Sequence, residues 1–474
     1  MGDIDYNKII RLSNKSIGVY LLALFVVSIL FNRYVAEWYI YIFGIVEVFL
    51  FFFCVPRIFK NFRFIKENKF LANVCVIAFV LRFLYVFIAY FFYIEYVGIP
   101  FEFGKFKDSL KYFEYAEMWY WLDFNQIAEK FNDMEIEFAD SGYFYYLIIL
   151  NKIFGRALII FPRILHCVWG VVICYCIYQI AKRHFGEVSA RMASLCCCFM
   201  PNLIFYCGLH NKEAVMVAIV FVFLDVADRI IYENKKSIFL LIILLLSILF
   251  LFMLRTVLGV IAIISFFMSL FLFKNKGNTL GQRVVVSVFV LVFISFVFSD
   301  RIFFEVRKTY LNTSLDAQAK NMEWRSQRGG DNANTFAKYA GASVFAPMIF
   351  TIPFPSVVYT PEQVNQRMIH GGNFVKNIMS GLCIASLFLL LKQWRKHSLL
   401  LFFLCGYLLI LVFSNYSHSE RFHLPIVPLI LLFSSSLVVQ MKGKEGVWVN
   451  GWLFFMFIAF VGWNWFKLAG RGLI

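Results

Sequence analysis

Apolar runs close to bilayer-spanning length recur from one end of the chain to the other, and nothing else in the sequence constrains its fold as tightly. About 20 apolar residues cross the roughly 30 Å hydrocarbon layer as a helix. In lipid every backbone N–H and C=O needs a partner inside the protein, and these runs are too long and too uniformly apolar for barrel strands. Of the 474 residues 61% are hydrophobic, more than one interior can enclose, so many must face lipid. The expected fold is an all-α polytopic membrane protein. Polar residues through Ser16 precede the first run and no small-residue cleavage site follows it, so it is expected to remain as a span rather than be removed as a signal peptide.

About 13 transmembrane helices are expected, at 17–31, 38–55, 70–94, 158–181, 188–205, 212–230, 237–254, 256–273, 284–299, 373–391, 398–414, 423–440 and 448–466. With the N-terminus inside, the inner connectors carry Arg57, Lys60, Arg63, Lys66 and Lys69, then Lys182, Arg183 and Arg191, then Lys235 and Lys236. Lys274, Lys276 and Arg283, then Lys392, Arg395 and Lys396, and last Lys442 and Lys444 continue the series. This alternation follows the positive-inside rule and accounts for the formal charge of +16 without a nucleic-acid partner. The eleven cysteines lie in or beside apolar runs, without zinc-site spacing or an extracellular disulfide frame, and read as small packing residues.

Residues 142–180 could hold two spans, but two would put Lys182, Arg183 and His184 outside and reverse every later connector. One span preceded by a surface-lying helix at 143–154 is expected instead. The apolar piece 345–358 contains Pro347, Pro353 and Pro355 and cannot be a regular span, so it dips into or lies on the outer surface. Outer segments 95–141 and 301–372 are too short for large cores of their own and are expected to cover the membrane region. The chain thus divides into an N-terminal span pair with a basic cytoplasmic loop (1–69), a core (70–440) and a C-terminal helix (441–474), without internal repeats.

Four distant pieces bearing ionisable groups fall on the same, outer, surface. Asp108, followed at helical spacing by Tyr112 and Ala116, suits a general base and equally suits a helix N-cap. His210, Asn211, Lys212 and Glu213 lie where one span ends and the next begins, a place where solvated charges are ordinary. Arg255 interrupts an almost continuous apolar stretch, where an anion or the headgroup layer makes a guanidinium tolerable; a phosphate fits its planar fork, and phospholipid headgroups are the plain alternative. Ser419, Glu420 and Arg421 form a turn flanked by His418 and His423, whose spacing does not argue for zinc. Arg325 and Arg328, beside Gly329 and Gly330, could close on a charged ligand or simply be solvated; sequons at Asn312 and Asn415 carry little weight.

The order of these pieces, with Ser141-Gly142-Tyr143, Arg163 and His166, Ala181 to Gly186, and Pro201-Asn202 between them, resembles the polyprenol-dependent GT-C membrane glycosyltransferases, especially relatives of the protein O-mannosyltransferases and the lipid A aminoarabinose transferase. The resemblance spans 70–440. It implies a GT-C-type helical core opening outward, a sugar donor on a polyprenyl phosphate or diphosphate, and a glycan, lipid or protein acceptor. By that likeness Asp108 activates the acceptor, Lys212, Arg255 and Arg421 hold the donor phosphate, and Tyr112, His210, Glu213 and Glu420 support them. The implied location is a bacterial inner membrane and the implied process cell-envelope polysaccharide synthesis. Asp108 lacks the adjacent acid of an Asp-Glu or Asp-x-Asp pair, so the metal requirement of some relatives is not carried over; a divalent metal is not indicated and the cofactor is unknown. Two spans precede the one before the catalytic loop, a departure from the family pattern. Competing readings are a surface-polysaccharide polymerase or ligase and a lipid-linked oligosaccharide flippase, which should carry charges at mid-membrane depth on several helices.

Overall fold

The computed structural model describes residues 5–104, 108–134, 138–233, 237–272, 334–339, 345–359, 364–413, 419–440 and 446–474, with isolated positions between 273 and 333. Helices follow in the order α1 (Tyr6–Leu30), α2 (Trp38–Asn61), α3 (Glu67–Val97), α4 (Asp108–Trp119), α5 (Phe124–Asp133), α6 (Phe138–Phe154) and α7 (Ile160–Phe185). Next come α8 (Glu187–Phe199), α9 (Pro201–Phe205), α10 (Glu213–Tyr232), α11 (Ile238–Leu254), α12 (Thr256–Leu272), α13 (Thr335–Tyr339) and α14 (Val364–Met368). The last are α15 (His370–Leu390), α16 (Ser398–Phe413), α17 (Glu420–His423), α18 (Val427–Gln440) and α19 (Gly446–Ala469). Among the described residues the only β pairing is an isolated bridge between Val35 and Val358.

Seven helices among the described residues are long and apolar enough to cross a membrane: Tyr6–Leu30, Trp38–Phe64, Glu67–Val97, Ile160–Phe185, His370–Phe413, Glu420–Gln440 and Val447–Ala469. The expected thirteen are not all met, for local reasons. His370–Phe413 holds two of the expected spans, joined through the 3-10 turn Leu391–His397, where Gln393 leaves helical geometry. The expected span 188–205 is interrupted, because α8 stops at Phe199 and α9 restarts at Pro201. Helix α10 bears Glu213, Asp225, Asp228 and Arg229, and α11 and α12 have 17 residues each. The span at 284–299, most of the segment 301–372 with Asn312, Arg325 and Arg328, and Asn415 and His418 lie outside the described residues.

Charges collect at the two ends of the bundle. At one end Arg183 pairs with Asp225 (2.6 Å) and with Asp228, His184 Nε2 meets Asp228 (2.7 Å), and Arg191 donates to the Phe62 carbonyl (2.9 Å). These residues adjoin the basic connectors after α2, α7 and α15. The opposite ends of α3, α7 and α10, with α4 to α6, carry the site.

Two helix breaks inside the bundle are closed by buried polar side chains. Pro201 has no N–H, so the Cys197 carbonyl one turn back loses its helical partner. Arg82, midway along α3 and fully buried, donates to Cys197 O (3.0 Å) and Cys198 O (3.2 Å), placing a cation at the C-terminus of α8. At the start of α15, Glu47 of α2 accepts the Gly372 N–H (2.9 Å), a carboxyl oxygen at a helix N-terminus. Glycine is required at 371, where a Cβ would lie 2.4 Å from Gly44 O. His370 beside it donates through Nδ1 to Arg367 O (2.7 Å), so its Nε2 accepts from Tyr20 (2.8 Å).

The chain termini meet: α1 packs on α2 and α19, and α2 and α19 both pack on α15. Between α15 and α19 the non-helical stretch 351–358 is buried for nearly its whole length. Irregular backbone survives there because side chains take its polar groups: Lys376 donates to Ile352 O (2.6 Å), Ser380 to Phe350 O (2.7 Å), and Asn464 both accepts Val357 N–H (2.8 Å) and donates to Pro355 O (3.0 Å). The segment dips into the protein rather than resting on it.

Candidate functional site

Helix α4 starts at Asp108, yet the Ser109 amide is accepted by Glu102 (3.1 Å), whose backbone lies midway in the loop after α3. The carboxylate of Asp108 goes to Arg421 NH1, at 2.5 Å. Arg421 rides on the one-turn helix α17, and its Nε lies 4.0 Å from Glu213 Oε1, the first residue of α10. The three groups differ in access: Asp108 is 48% exposed, Arg421 36% and Glu213 2%.

A second ion pair forms beside this one. Gly142 lets α6 press against the end of α11, since a Cβ there would lie 2.9 Å from Met253 Cβ. That approach brings Asp140 onto Lys212, whose ammonium also donates to Leu254 O (2.7 Å) and Ala139 O (3.1 Å), so all three of its protons are taken. Tyr112 donates to Asp140 Oδ1 (3.3 Å). Burial pushes the Asp140 carboxyl upward, but the Lys212 ammonium and the hydrogen bonds outweigh it and hold the group below its ordinary range. Burial, reinforced by Asp140, Glu213 and Asp108, keeps the Tyr112 hydroxyl well above its usual value and therefore protonated.

Arg255 is the single residue between α11 and α12 and is extended (φ −166°, ψ 105°), so one helix ends and the next begins around it. Its guanidinium donates to the Tyr407 hydroxyl (3.2 Å) and lies 4.3 Å from the centre of the Phe422 ring. Arg421 lies over the same ring at 5.3 Å. Tyr407 in turn donates to the Phe422 backbone carbonyl (2.8 Å), tying down the chain that carries the ring. Two guanidiniums from distant parts of the chain therefore share one aromatic platform.

The remaining candidates stand behind. Glu420, 4% exposed, accepts from the Tyr206 hydroxyl, and His210, 1% exposed, sits among the rings of Phe101, Phe113 and Tyr143. Burial and the nearby Arg163 charge push the His210 imidazole well below its ordinary value, so it is neutral. Sequence reasoning missed Glu102, Asp140, Tyr407 and Phe422. Asp140 had a readable signal, an acid two residues ahead of a glycine early in an apolar helix; Tyr407 lies within an unbroken apolar span and had none. Among the described residues no three His, Cys, Asp or Glu side chains converge as metal ligands.

Fold and site together define a helical, membrane-embedded protein with a cluster of arginine, lysine and carboxylate side chains at one end of its bundle. Residues 142–299 match the model of the dolichyl-phosphate-mannose-protein mannosyltransferase family, a stretch that includes Lys212, Glu213 and Arg255 but not Asp108 or Arg421. The match indicates a membrane glycosyltransferase of the GT-C type. No curated protein matches the chain.

Proposed function

We propose that the protein transfers a sugar from a polyprenyl-phosphate or diphosphate donor to a glycan, lipid or protein acceptor at the outer face of the membrane. The observation that carries this reading is the Phe422 ring shared by Arg255 and Arg421, with Asp108 on the outer edge of Arg421. Arg255 and Arg421 bind the donor phosphate. Lys212 acts on it through its charge alone, its protons being held by Asp140 and two carbonyls. The acceptor hydroxyl gives its proton to Asp108 as its oxygen bonds to the anomeric carbon; the carbon–oxygen bond to phosphate breaks, and its electron pair leaves on polyprenyl phosphate. One such displacement inverts the anomeric centre. Tyr112 and Glu213 position the cluster, and Glu420 anchors the α17 turn to Tyr206. The basic connectors at the far end support an outward-facing site by the positive-inside rule.

A flippase would also carry ionisable groups deep in the bundle, and Glu47, Arg82 and Lys376 are such groups. Each instead meets a helix end or irregular backbone, which favours the transferase. Purified protein incubated with radiolabelled polyprenyl-phosphate sugars and a membrane extract should consume one donor, and Asp108→Asn should abolish consumption while inserting normally. Full activity of that variant removes Asp108 as the base; movement of lipid-linked glycan across vesicles without donor loss favours the flippase.

A further inference from the structure

Arg421 has two carboxylate neighbours of opposite character. Asp108, on NH1 at 2.5 Å, is half-exposed, whereas Glu213, 4.0 Å from Nε, is almost wholly enclosed. An exposed ion pair is worth little in water and is readily exchanged. Breaking a buried one leaves an uncompensated charge and is strongly resisted. An incoming anion can therefore take the NH1 edge from Asp108 but cannot take Arg421 from Glu213.

We propose that the donor phosphate arms the base: it displaces Asp108 from Arg421, Glu213 holds the guanidinium in place during the exchange, and Asp108 becomes free to accept the acceptor proton. The proposal rests on the donor-phosphate reading above. Before the exchange Asp108 Oδ2 is held by the Arg421 guanidinium and is not available to an incoming hydroxyl. Afterwards the phosphate occupies that edge of the guanidinium while Asp108 keeps its place at the start of α4. Among the described residues no carboxylate forms an ion pair with Arg255, which meets the Tyr407 hydroxyl and the Phe422 ring, and the anion takes its first foothold there. The order of addition is then compulsory: donor first, acceptor second. An acceptor arriving before the donor meets a carboxylate already engaged. Glu213 is thereby a positioning residue, acting through Arg421.

The test uses the purified full-length protein in detergent and a short-chain polyprenyl phosphate as the probe. Asp108→Asn should tighten binding, by up to about fivefold, the scale of an exposed pair. Glu213→Gln removes the same charge and should weaken binding, because Arg421 loses its anchor. In an Arg421→Gln background, where Arg255 still holds the probe, Asp108→Asn should change nothing. Arg421→Lys, which keeps the charge, serves if the glutamine variant does not fold, and should retain part of the coupling. Equal tightening by Asp108→Asn in both backgrounds means plain repulsion between charges and overturns the exchange. So does tightening by Glu213→Gln. If the wild-type protein does not bind the probe at all, the donor assignment fails first and the exchange falls with it.

Discussion

Asp140 shows how one side chain can matter through the charge it holds rather than the chemistry it performs. Its carboxyl is kept below the ordinary range by Lys212, against the upward push of burial. A group lowered in this way adds stability that is present above its unfolded value, near pH 3.9 for aspartate, and is lost as pH falls through the folded value. The wild-type protein should therefore lose, as pH falls below about 4, a part of its thermal stability that Asp140→Asn lacks at every pH. The carboxylate is 43% exposed, so water screens the pair and the difference should be about 1 kcal/mol or less. Melting curves of the two proteins in detergent should converge at low pH; a gap that stays constant across the range would remove Lys212 as the cause. His210 supplies the contrast: it is already neutral in its ring of aromatics, so no step in transfer between about pH 5 and pH 8 should trace to it, and His210→Phe should leave the pH profile unmoved.

Helices bring these side chains together by how they end and how closely they approach. Gly142→Val should push α6 away from Met253 and carry Asp140 off Lys212, and a displacement on the order of 1 Å at a reacting centre costs about 100-fold in rate. Gly451→Val, at a position with open space around it, is the control and should transfer sugar normally; equal loss in both would remove the α6 contact from the mechanism. Arg82→Met should leave the Cys197 and Cys198 carbonyls buried without donors, at a cost on the order of 1–3 kcal/mol each, with Arg82→Lys intermediate because it keeps the charge but not the fork. Unchanged melting of the methionine variant would mean that another group caps α8. These helices were legible in the sequence where hydropathy alone decides them: α11 and α12 break at Arg255 as expected, and one span preceded by a separate helix occupies 142–180. What hydropathy misses is a break between apolar residues. The run through Cys198 and Phe205 reads as continuous until Pro201 removes one hydrogen bond, and Arg82 reads as an oddity of α3 until that break gives it carbonyls to hold.

At the scale of the whole molecule the chain closes on itself, and the closure explains why residues so far apart share a site. Lys15 within α1 donates to Asn450 near the start of α19 (2.9 Å), and Tyr34, just past the end of α1, donates to the carbonyl of Leu473, just past the end of α19, so the first and last helices run side by side. Helix α15 lies against both α2 and α18, and α18 continues directly from the turn bearing Arg421. The sequence placed Asp108, Lys212, Arg255 and Arg421 on one surface from sidedness alone, because charge alternation records which end of a span a residue occupies. It could not pair them, because pairing depends on the angular arrangement of helices, which hydropathy does not encode. The same charge record makes the orientation testable. Lys111, exposed on α4, marks the site end, and Lys396, exposed between α15 and α16, marks the other. Neither position bears on the proposed chemistry, so cysteine at each should leave the fold intact. In intact cells a membrane-impermeant maleimide should label Lys111→Cys at once and Lys396→Cys only after permeabilisation. The native cysteines give a low background, since Cys405 alone among them is exposed, on a helix of apolar residues whose outer surface meets lipid. The reverse pattern would put the charged cluster in the cytoplasm, beside nucleotide sugars rather than lipid-linked ones, and would replace the donor class proposed for Arg255 and Arg421.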